Sequence, residues 1–485
     1  MIATERTVRT LQFYVNGKWE NSSGGLHPVT NPAVGEVIAN VPYATAAEVD
    51  RVAKLAHAAF LKWREVPVVE RVQVLYRYKT LLDKNVDDVA RILSTENGKT
   101  LDDARASVRR AVQMVEVACG MPSLMMGDSL ENVSRGIDSQ SIRQPLGVCA
   151  GITPFNFPAM VPMWMFPFAI ACGNSFILKP SEKVPMTPTR TCELLHEAGI
   201  PEGVYNLIHG DKVSVDALLA HPLVRAISFV GSSPVAKYVY ENAAKHGKRV
   251  QALGGAKNHL VVTPGANLEK TVEAIISSSF GAAGERCLAG SVLVPVGEVA
   301  QPLLDLLVAT TKKMKVGDGL EPGVEMGPVV TDEHRKKIVG YIEKGVAEGA
   351  KPLCDGREVA NCEGYFVGPT IFDNVTPEMT IAKEEIFGPV LSVIRVETLD
   401  EAIDLVNSSK FGNTTSIFTS DGKSAREYAS RIECGMVGVN IGVAAPMAFF
   451  PFSGWKNSFF GDLHAHGKDA VAFYTEQKVI MTRWF

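Results

Sequence analysis

Apolar residues in the first third of the chain recur every three or four positions, which predicts helices over 47–63, 69–82 and 102–118. Beyond residue 147 the period shortens. Apolar runs at 148–153, 175–178, 205–208 and 226–230 read as strands, with a helical pattern at 188–197 among them. The run at 226–230 leads into Gly231, Ser232 and Ser233, and Pro234 then opens a helix. Ser233 suits the N-cap and Pro234 the first helical position. From about Gly255 a second series places helices at 271–280, 301–313 and 333–348, and strands at 292–295 and 391–396. Such alternation predicts parallel α/β sheets. The last stretch, 469–485, alternates through Val471, Phe473, Val479 and Met481 and reads as a terminal strand. It suits pairing with another subunit or an ordinary sheet edge.

With 485 residues the chain has room for more than one domain, and 46% hydrophobic against 21% charged residues is a globular balance. A net charge of -4 gives no reason to expect nucleic acid or a membrane as partner. The longest apolar run, 161–172, is short for a membrane span and contains Pro162 and Pro167. Residues 1–10 carry basic side chains with no apolar stretch behind them, so no secretory signal is expected. The eight cysteines are scattered, without a C-x-x-C pair or a His/Cys cluster at zinc spacing. Reduced thiols, a cytoplasmic setting and no metal are the expectation.

The common nucleotide and hydrolase signatures are missing: no G-x-G-x-x-G follows a predicted strand, and there is no Walker A, H-E-x-x-H or G-x-S-x-G. Two segments carry candidate chemistry. Phe280-Gly281-Ala282-Ala283-Gly284-Glu285-Arg286-Cys287 joins small residues, which let backbone approach a ligand, to a cysteine beside a cation that favours thiolate. Taken alone it also fits a buried cysteine after a helix. Thr153-Pro154-Phe155-Asn156-Phe157-Pro158 follows a strand and holds an amide rigidly. Asn156 could donate to an oxyanion there, or simply form a turn.

Together these segments resemble the aldehyde dehydrogenase superfamily. The resemblance runs from about Phe13 to the C-terminus. It rests on five motifs in order: Pro154-Phe155-Asn156-Phe157-Pro158, Leu178-Lys179-Pro180-Ser181-Glu182, Phe229-Val230-Gly231-Ser232, Gly284-Glu285-Arg286-Cys287 and Glu385-Ile386-Phe387-Gly388-Pro389. Five ordered matches overturn the buried-cysteine alternative. The resemblance implies that Cys287 attacks an aldehyde carbonyl, that Asn156 and the Cys287 N–H hold the oxyanion, and that hydride transfer to NAD leaves a thioester. It places Lys179 and Glu182 at the adenosine ribose and Ser232 at the pyrophosphate. Glu385 takes the nicotinamide ribose, and Thr153, Phe155, Lys183 and Gly254 lie along the cofactor cleft.

One departure narrows the substrate. Hydrolytic members carry Glu-Leu-Gly-Gly-Lys, whereas this chain has Gln251-Ala252-Leu253-Gly254-Gly255-Ala256-Lys257, with no Asp or Glu between Glu241 and Glu269. The general base for hydrolysis is missing from Ala252 or Leu253. A thiol acceptor needs less help. Gly255-Ala256-Lys257-Asn258-His259 and Ser453–His464 (453–464) look like the CoA-acylating methylmalonate-semialdehyde dehydrogenase branch. That branch implies NAD, coenzyme A as co-substrate, and malonate or methylmalonate semialdehyde converted to acetyl-CoA or propanoyl-CoA with loss of CO2. The substrate carboxylate needs a cation, for which Arg286 and Arg110 are the candidates, with Arg105 and Arg109 read as solvated. A hydrolytic enzyme acting on succinate semialdehyde is the alternative. A non-catalytic scaffold would need none of Cys287, Asn156, Lys179 and Glu385.

The expected architecture is α/β and aldehyde dehydrogenase-like. Residues 1–123 with 147–254 form a parallel-sheet nucleotide-binding domain, 255–450 an α/β catalytic domain, and 124–146 with 465–485 a small oligomerisation arm. A homo-oligomer, as a tetramer, is expected.

Overall fold

The computed structural model describes residues 8–359 and 363–485. The expectation of no leader at 1–10 falls largely on residues outside this range, as does Cys362.

The helices follow from their apolar stripes and caps. Ala46–Trp63 buries Val49, Val52, Ala53, Ala56, Ala59, Phe60 and Trp63 along one face, and Thr45 and Glu48 close a capping box at its start. Leu101–Cys119 begins at Thr100, whose side chain accepts from the Asp103 N–H at 3.2 Å. A cap of this kind stabilises by about 1 kcal/mol. Between these lies Val86–Asn97, which the periodicity did not predict. Its inner face mixes Val89, Ala90 and Leu93 with buried Ser94, Glu96 and Asn97, so polar residues interrupt the stripe.

The apolar run at 161–172 becomes two short buried helices, Met160–Met163 and Phe166–Ala171, under the first sheet. Among the described residues no helix is long and apolar enough to cross a membrane.

An eight-stranded sheet has the order Phe459–Phe460, Arg249–Leu253, Val224–Val230, Val148–Ile152, Ser175–Lys179, Tyr205–Leu207, Phe13–Val15, Lys18–Glu20. Its five middle strands are parallel and its edges antiparallel. Chain order reverses between Val148–Ile152 and Val224–Val230. In open α/β sheets the crevice at the carboxyl ends of such a pair is where ligands bind. A seven-stranded sheet runs from Lys351–Cys354 through Thr370–Asp373, Val390–Val393, Gly290–Pro295, Asn258–Val262 and Thr414–Phe418 to Met436–Val439, parallel apart from its first strand. Each sheet has its own buried core.

Two expectations change here. The segment 469–485 is not one strand. Gly467–Phe473 is a helix whose Ala470, Val471 and Phe473 enter the core of the first sheet, and only Thr475–Arg483 is a strand. Alternation over a few apolar residues fits either element, and burial against Phe166–Ala171 decided for helix. Thr475–Arg483 pairs antiparallel with Ile137–Pro145, which pairs with Ser129–Ser134, so the arm is a three-stranded sheet. Secondly, the chain after 450 returns to the first sheet through Phe459–Phe460.

Candidate active site

The loop leaving Val148–Ile152 carries Thr153 to Asn156, and three contacts fix it. Thr153 N–H donates to Lys179 O at 3.2 Å, Asn97 Nδ2 donates to Phe155 O at 3.1 Å, and Lys99 Nζ donates to Asn156 O. The Lys99 ammonium also lies 3.6 Å from the centre of the Phe157 ring. Asn156 is buried, and its Nδ2 donates to Glu285 O at 3.0 Å, which ties this loop to the cysteine loop.

The cysteine loop reaches Cys287 through Ala282, Ala283 and Gly284, all at positive φ (52°, 52° and 70°). Two alanines in this region are strained, a cost that concentrates at functional sites. Gly284 crosses the 388 backbone, and a Cβ there would stand 2.3 Å from Gly388 O. Cys287 O is clamped by Asn258 Nδ2 and Asn413 Nδ2, both at 2.9 Å, from the starts of two neighbouring strands. The half-buried thiol therefore sits between the carboxyl end of the first sheet and the amino end of the second.

Burial pushes the Cys287 thiol up to about 12, and Glu385 pushes the same way. Its own N–H, Lys99 and the Leu288 N–H oppose this. Neighbouring Arg286, expected as a cation at this site, lines the cavity beside Cys287 and is ion-paired there. Arg286 Nη2 is 2.6 Å from Asp103 Oδ1 and Nη1 donates to Ser277 O at 3.0 Å, so its guanidinium is spent on its own neighbours. Lys99 is the ammonium that acts on the thiol. Sequence spacing had not singled it out, and its only local signal is a lysine just before a capped helix.

Glu385 Oε1 accepts from the Ala256 N–H at 2.8 Å, and burial raises its carboxyl to about 7. Gly255 leaves room for this carboxylate, since a Cβ would fall 2.1 Å from Glu385 Oε2 and displace it. Glu285, raised by burial to about 8, accepts from the Val330 N–H at 3.2 Å and so braces the cysteine loop. On the strand Arg249–Leu253, Leu253 joins the apolar cluster against which Cys287 packs, while Ala252 belongs to the cluster on the other face. The side chain on the thiol's side is therefore apolar.

Lys179 and Glu182 come together at 3.3 Å, with Lys179 buried. Lys183 is directed elsewhere, its ammonium 5.1 Å from the centre of the Phe155 ring. The helix after Val224–Val230 is Ser233–Lys245, so Ser232, not Ser233, is its N-cap, and no side chain caps it. Ser233 Oγ instead donates to Asn457 O at 2.9 Å and accepts from the Gly255 N–H at 2.8 Å. Gly254 is buried beneath this contact, where a Cβ would meet Ser233 Oγ at 2.8 Å and Asn457 O at 2.9 Å. Its place is one of close packing.

A cavity of about 300 Å³ opens beside Cys287. Asp103, Ser107, Arg110 and Met114 line it from one face of the helix Leu101–Cys119. Arg110 is held by Gln113 Oε1 at 2.8 Å and Pro446 O at 2.5 Å, and makes no ion pair among the described residues. Arg105 is bound to Asp87 and Asp102, and Arg109 is exposed.

Comparison with known proteins agrees with this arrangement. The model of the aldehyde dehydrogenase family matches residues 19–480. Malonate-semialdehyde dehydrogenase 2 of Geobacillus kaustophilus is 54% identical over 480 residues, covering 98% of this chain and 99% of that protein. The malonate-semialdehyde dehydrogenase of Halalkalibacterium halodurans is 52% identical over the full length of both. The crystal structure of methylmalonate-semialdehyde dehydrogenase from Oceanimonas doudoroffii superposes with a TM-score of 0.97 at 46% identity, over 98% of each chain. With a strained loop presenting a cysteine to a buried asparagine across two α/β sheets, and with these full-length matches, the chain belongs to the aldehyde dehydrogenase family.

Proposed function

We propose that the chain catalyses the NAD-dependent, CoA-acylating oxidation of malonate or methylmalonate semialdehyde, giving acetyl-CoA or propanoyl-CoA with loss of CO2. The observation that carries the substrate class is Arg110, a half-buried guanidinium without an acidic partner in the cavity beside Cys287. Burying a charge is costly unless a counter-charge meets it, so the cavity favours a ligand with a carboxylate.

In this reading Cys287 gives up its proton to solvent and its sulfur bonds to the aldehyde carbon, whose C=O electron pair moves onto the oxygen. Asn156 Nδ2 and the Cys287 N–H steady the oxygen. NAD, when bound, supplies the hydride acceptor. The thioester left on Cys287 loses its carboxylate as CO2, and a proton from solvent replaces it on that carbon. The remaining acyl group passes to the sulfur of CoA while the CoA thiol proton returns to Cys287. Relatives support the substrate names, and a Sinorhizobium meliloti chain described as a methylmalonate-semialdehyde dehydrogenase, 46% identical with a TM-score of 0.97, was solved with NAD.

The cleft fits a dinucleotide. Thr153 Oγ1 is buried without a partner, and the helix start at Ser232 leaves backbone N–H groups open to a pyrophosphate. Lys179 and Glu182 would hold the adenosine ribose. Lys183 lies against the Phe155 ring, so it does not offset the Glu182 carboxylate, which would repel a 2′-phosphate in spite of its contact with Lys179. Specificity constants should favour NAD over NADP, and a preference for NADP would remove Glu182 from this role.

Replacing Arg110 by Ala should raise KM for malonate semialdehyde on the order of 100-fold, the effect of losing a charge-assisted hydrogen-bond pair. Propanal, which lacks the carboxylate, should lose far less. Equal losses on both aldehydes would sink the assignment. The exposed apolar residues Leu130, Val479 and Met481 on the arm support a homo-oligomer built through that sheet, and the unpaired cysteines support a cytoplasmic setting.

A further inference from the structure

Three buried polar atoms in the wall of the Cys287 cavity have no hydrogen-bond partner among the described residues: Ser107 Oγ, Trp164 Nε1 and His466 Nε2. Ser107 lies one turn before Arg110 on its helix, Trp164 follows Met160–Met163, and His466 precedes Gly467–Phe473. Buried polar atoms are nearly always satisfied, so three around one cavity point to a ligand that satisfies them.

The chemistry of His466 follows from its other nitrogen. Nδ1 lies 2.7 Å from Phe450 O, and a carbonyl only accepts. Nδ1 therefore carries the hydrogen, and in the neutral ring Nε2 is a bare lone pair, buried and without a partner among the described residues, on a side chain that lines the cavity. The ring is 1% exposed, and burial, followed by the charge of Arg110, pushes it down to about 4, so it rests neutral. It stands edge-on to Trp164, with centroids 5.2 Å apart. Its backbone has φ 46° and ψ -172°, a region nearly confined to glycine. The surroundings hold this histidine in place against that strain, as they hold the loop before Cys287.

The other charged groups facing the cavity are Arg110, Asp103 and Arg286, and the last two neutralise each other. A carboxylate arriving beside Arg110 would be the uncompensated negative charge near the ring. A bare lone pair repels it, whereas an imidazolium donates to it.

We infer that His466 is a specificity-determining residue that takes up a proton as the substrate carboxylate enters and, with Arg110, Ser107 and Trp164, grips that carboxylate. This rests on the carboxylate-bearing substrate of the proposed function. Solvent supplies the proton, the ring passes from imidazole to imidazolium, and the proton returns to solvent when the carboxylate leaves. Because the proton is bound only in the complex, affinity is greatest below the free ring's pKa, falls as pH rises from there to the ring's pKa in the complex, and is constant above it.

The test is calorimetric titration of the NAD-loaded enzyme with 3-hydroxypropanoate, the alcohol counterpart of malonate semialdehyde, in two buffers of different ionisation enthalpy. Uptake of about one proton per site is expected. KM for malonate semialdehyde should rise about tenfold per pH unit between the free ring's value, about 4, and the pKa of the complex, and level off above it. His466→Asn keeps a polar side chain and does not titrate, so it should abolish the uptake, flatten the pH profile and weaken binding about tenfold. Ser107→Ala should weaken binding yet keep the uptake, which separates titration from loss of packing. Binding of 3-hydroxypropanoate without proton uptake, or with equal uptake in His466→Asn, overturns the role of His466 and leaves the carboxylate reading intact. If 3-hydroxypropanoate does not bind and malonate semialdehyde is turned over no faster than propanal, both fall.

Discussion

Replacement of Cys287 by Ala or Ser should reduce NADH formation on the order of a million-fold, the scale seen when a covalent nucleophile is removed from an active site. The expectation rests on how much of the site converges on this one sulfur. Three consecutive positive-φ residues turn the chain into it, Asn258 and Asn413 hold its carbonyl, and Asn156 is tied to the residue two positions before it. Serine keeps the shape but offers a hydroxyl, a much weaker nucleophile than a thiolate at the same position. NAD binding should be nearly unchanged in both variants, because Lys179, Glu182 and Ser232 stand on the first sheet, away from the cysteine loop. Rapid-quench turnover and NAD titration by fluorescence separate the two effects. Near-normal turnover in Cys287→Ala would place the nucleophile elsewhere, and lost NAD binding would mean that the loop had collapsed.

The second large effect concerns the acceptor. Omitting CoA should give a burst of NADH equal to the number of enzyme sites, followed by a steady rate about 100- to 10,000-fold slower, the range lost when a positioned general base is absent. The reason is the apolar end of the strand Arg249–Leu253, where Leu253 stands on the thiol's side. Water attacking the thioester finds no carboxylate there, whereas the thiolate of CoA needs little activation. Kinetics with CoA should be ping-pong. Leu253→Glu or Ala252→Glu should restore some hydrolysis, limited by the burial of both positions, which would hold the new carboxyl protonated. Glu385 is the carboxylate that acts on Cys287, and its own role in hydrolysis is read from the same experiment with Glu385→Gln. Free acid formed as fast without CoA as thioester with it would defeat the CoA assignment and favour a hydrolytic semialdehyde dehydrogenase.

What the sequence determined by itself is local. Period, caps and turn residues placed the helices at Ala46–Trp63 and Leu101–Cys119 and the strands Val148–Ile152, Ser175–Lys179, Tyr205–Leu207, Val224–Val230, Gly290–Pro295 and Val390–Val393 to within a few residues, but not Arg249–Leu253, Asn258–Val262, Thr370–Asp373, Thr414–Phe418 or Met436–Val439. They did so because these signals are written within one or two turns of chain. The loops bearing Asn156 and Cys287 were legible for the same reason, since small residues, prolines and a cysteine stand side by side. The pairing of charges was decided only by tertiary structure. Arg286 is next to Cys287 in the chain, yet Asp103, 183 positions away, takes its guanidinium, and Lys99 comes to the thiol instead. Burial likewise made a helix of 467–473, left Ser232 as the cap and set His466 over the cavity. Coulomb attraction and desolvation act through space, so the order of residues along the chain does not reveal which cation will face the sulfur.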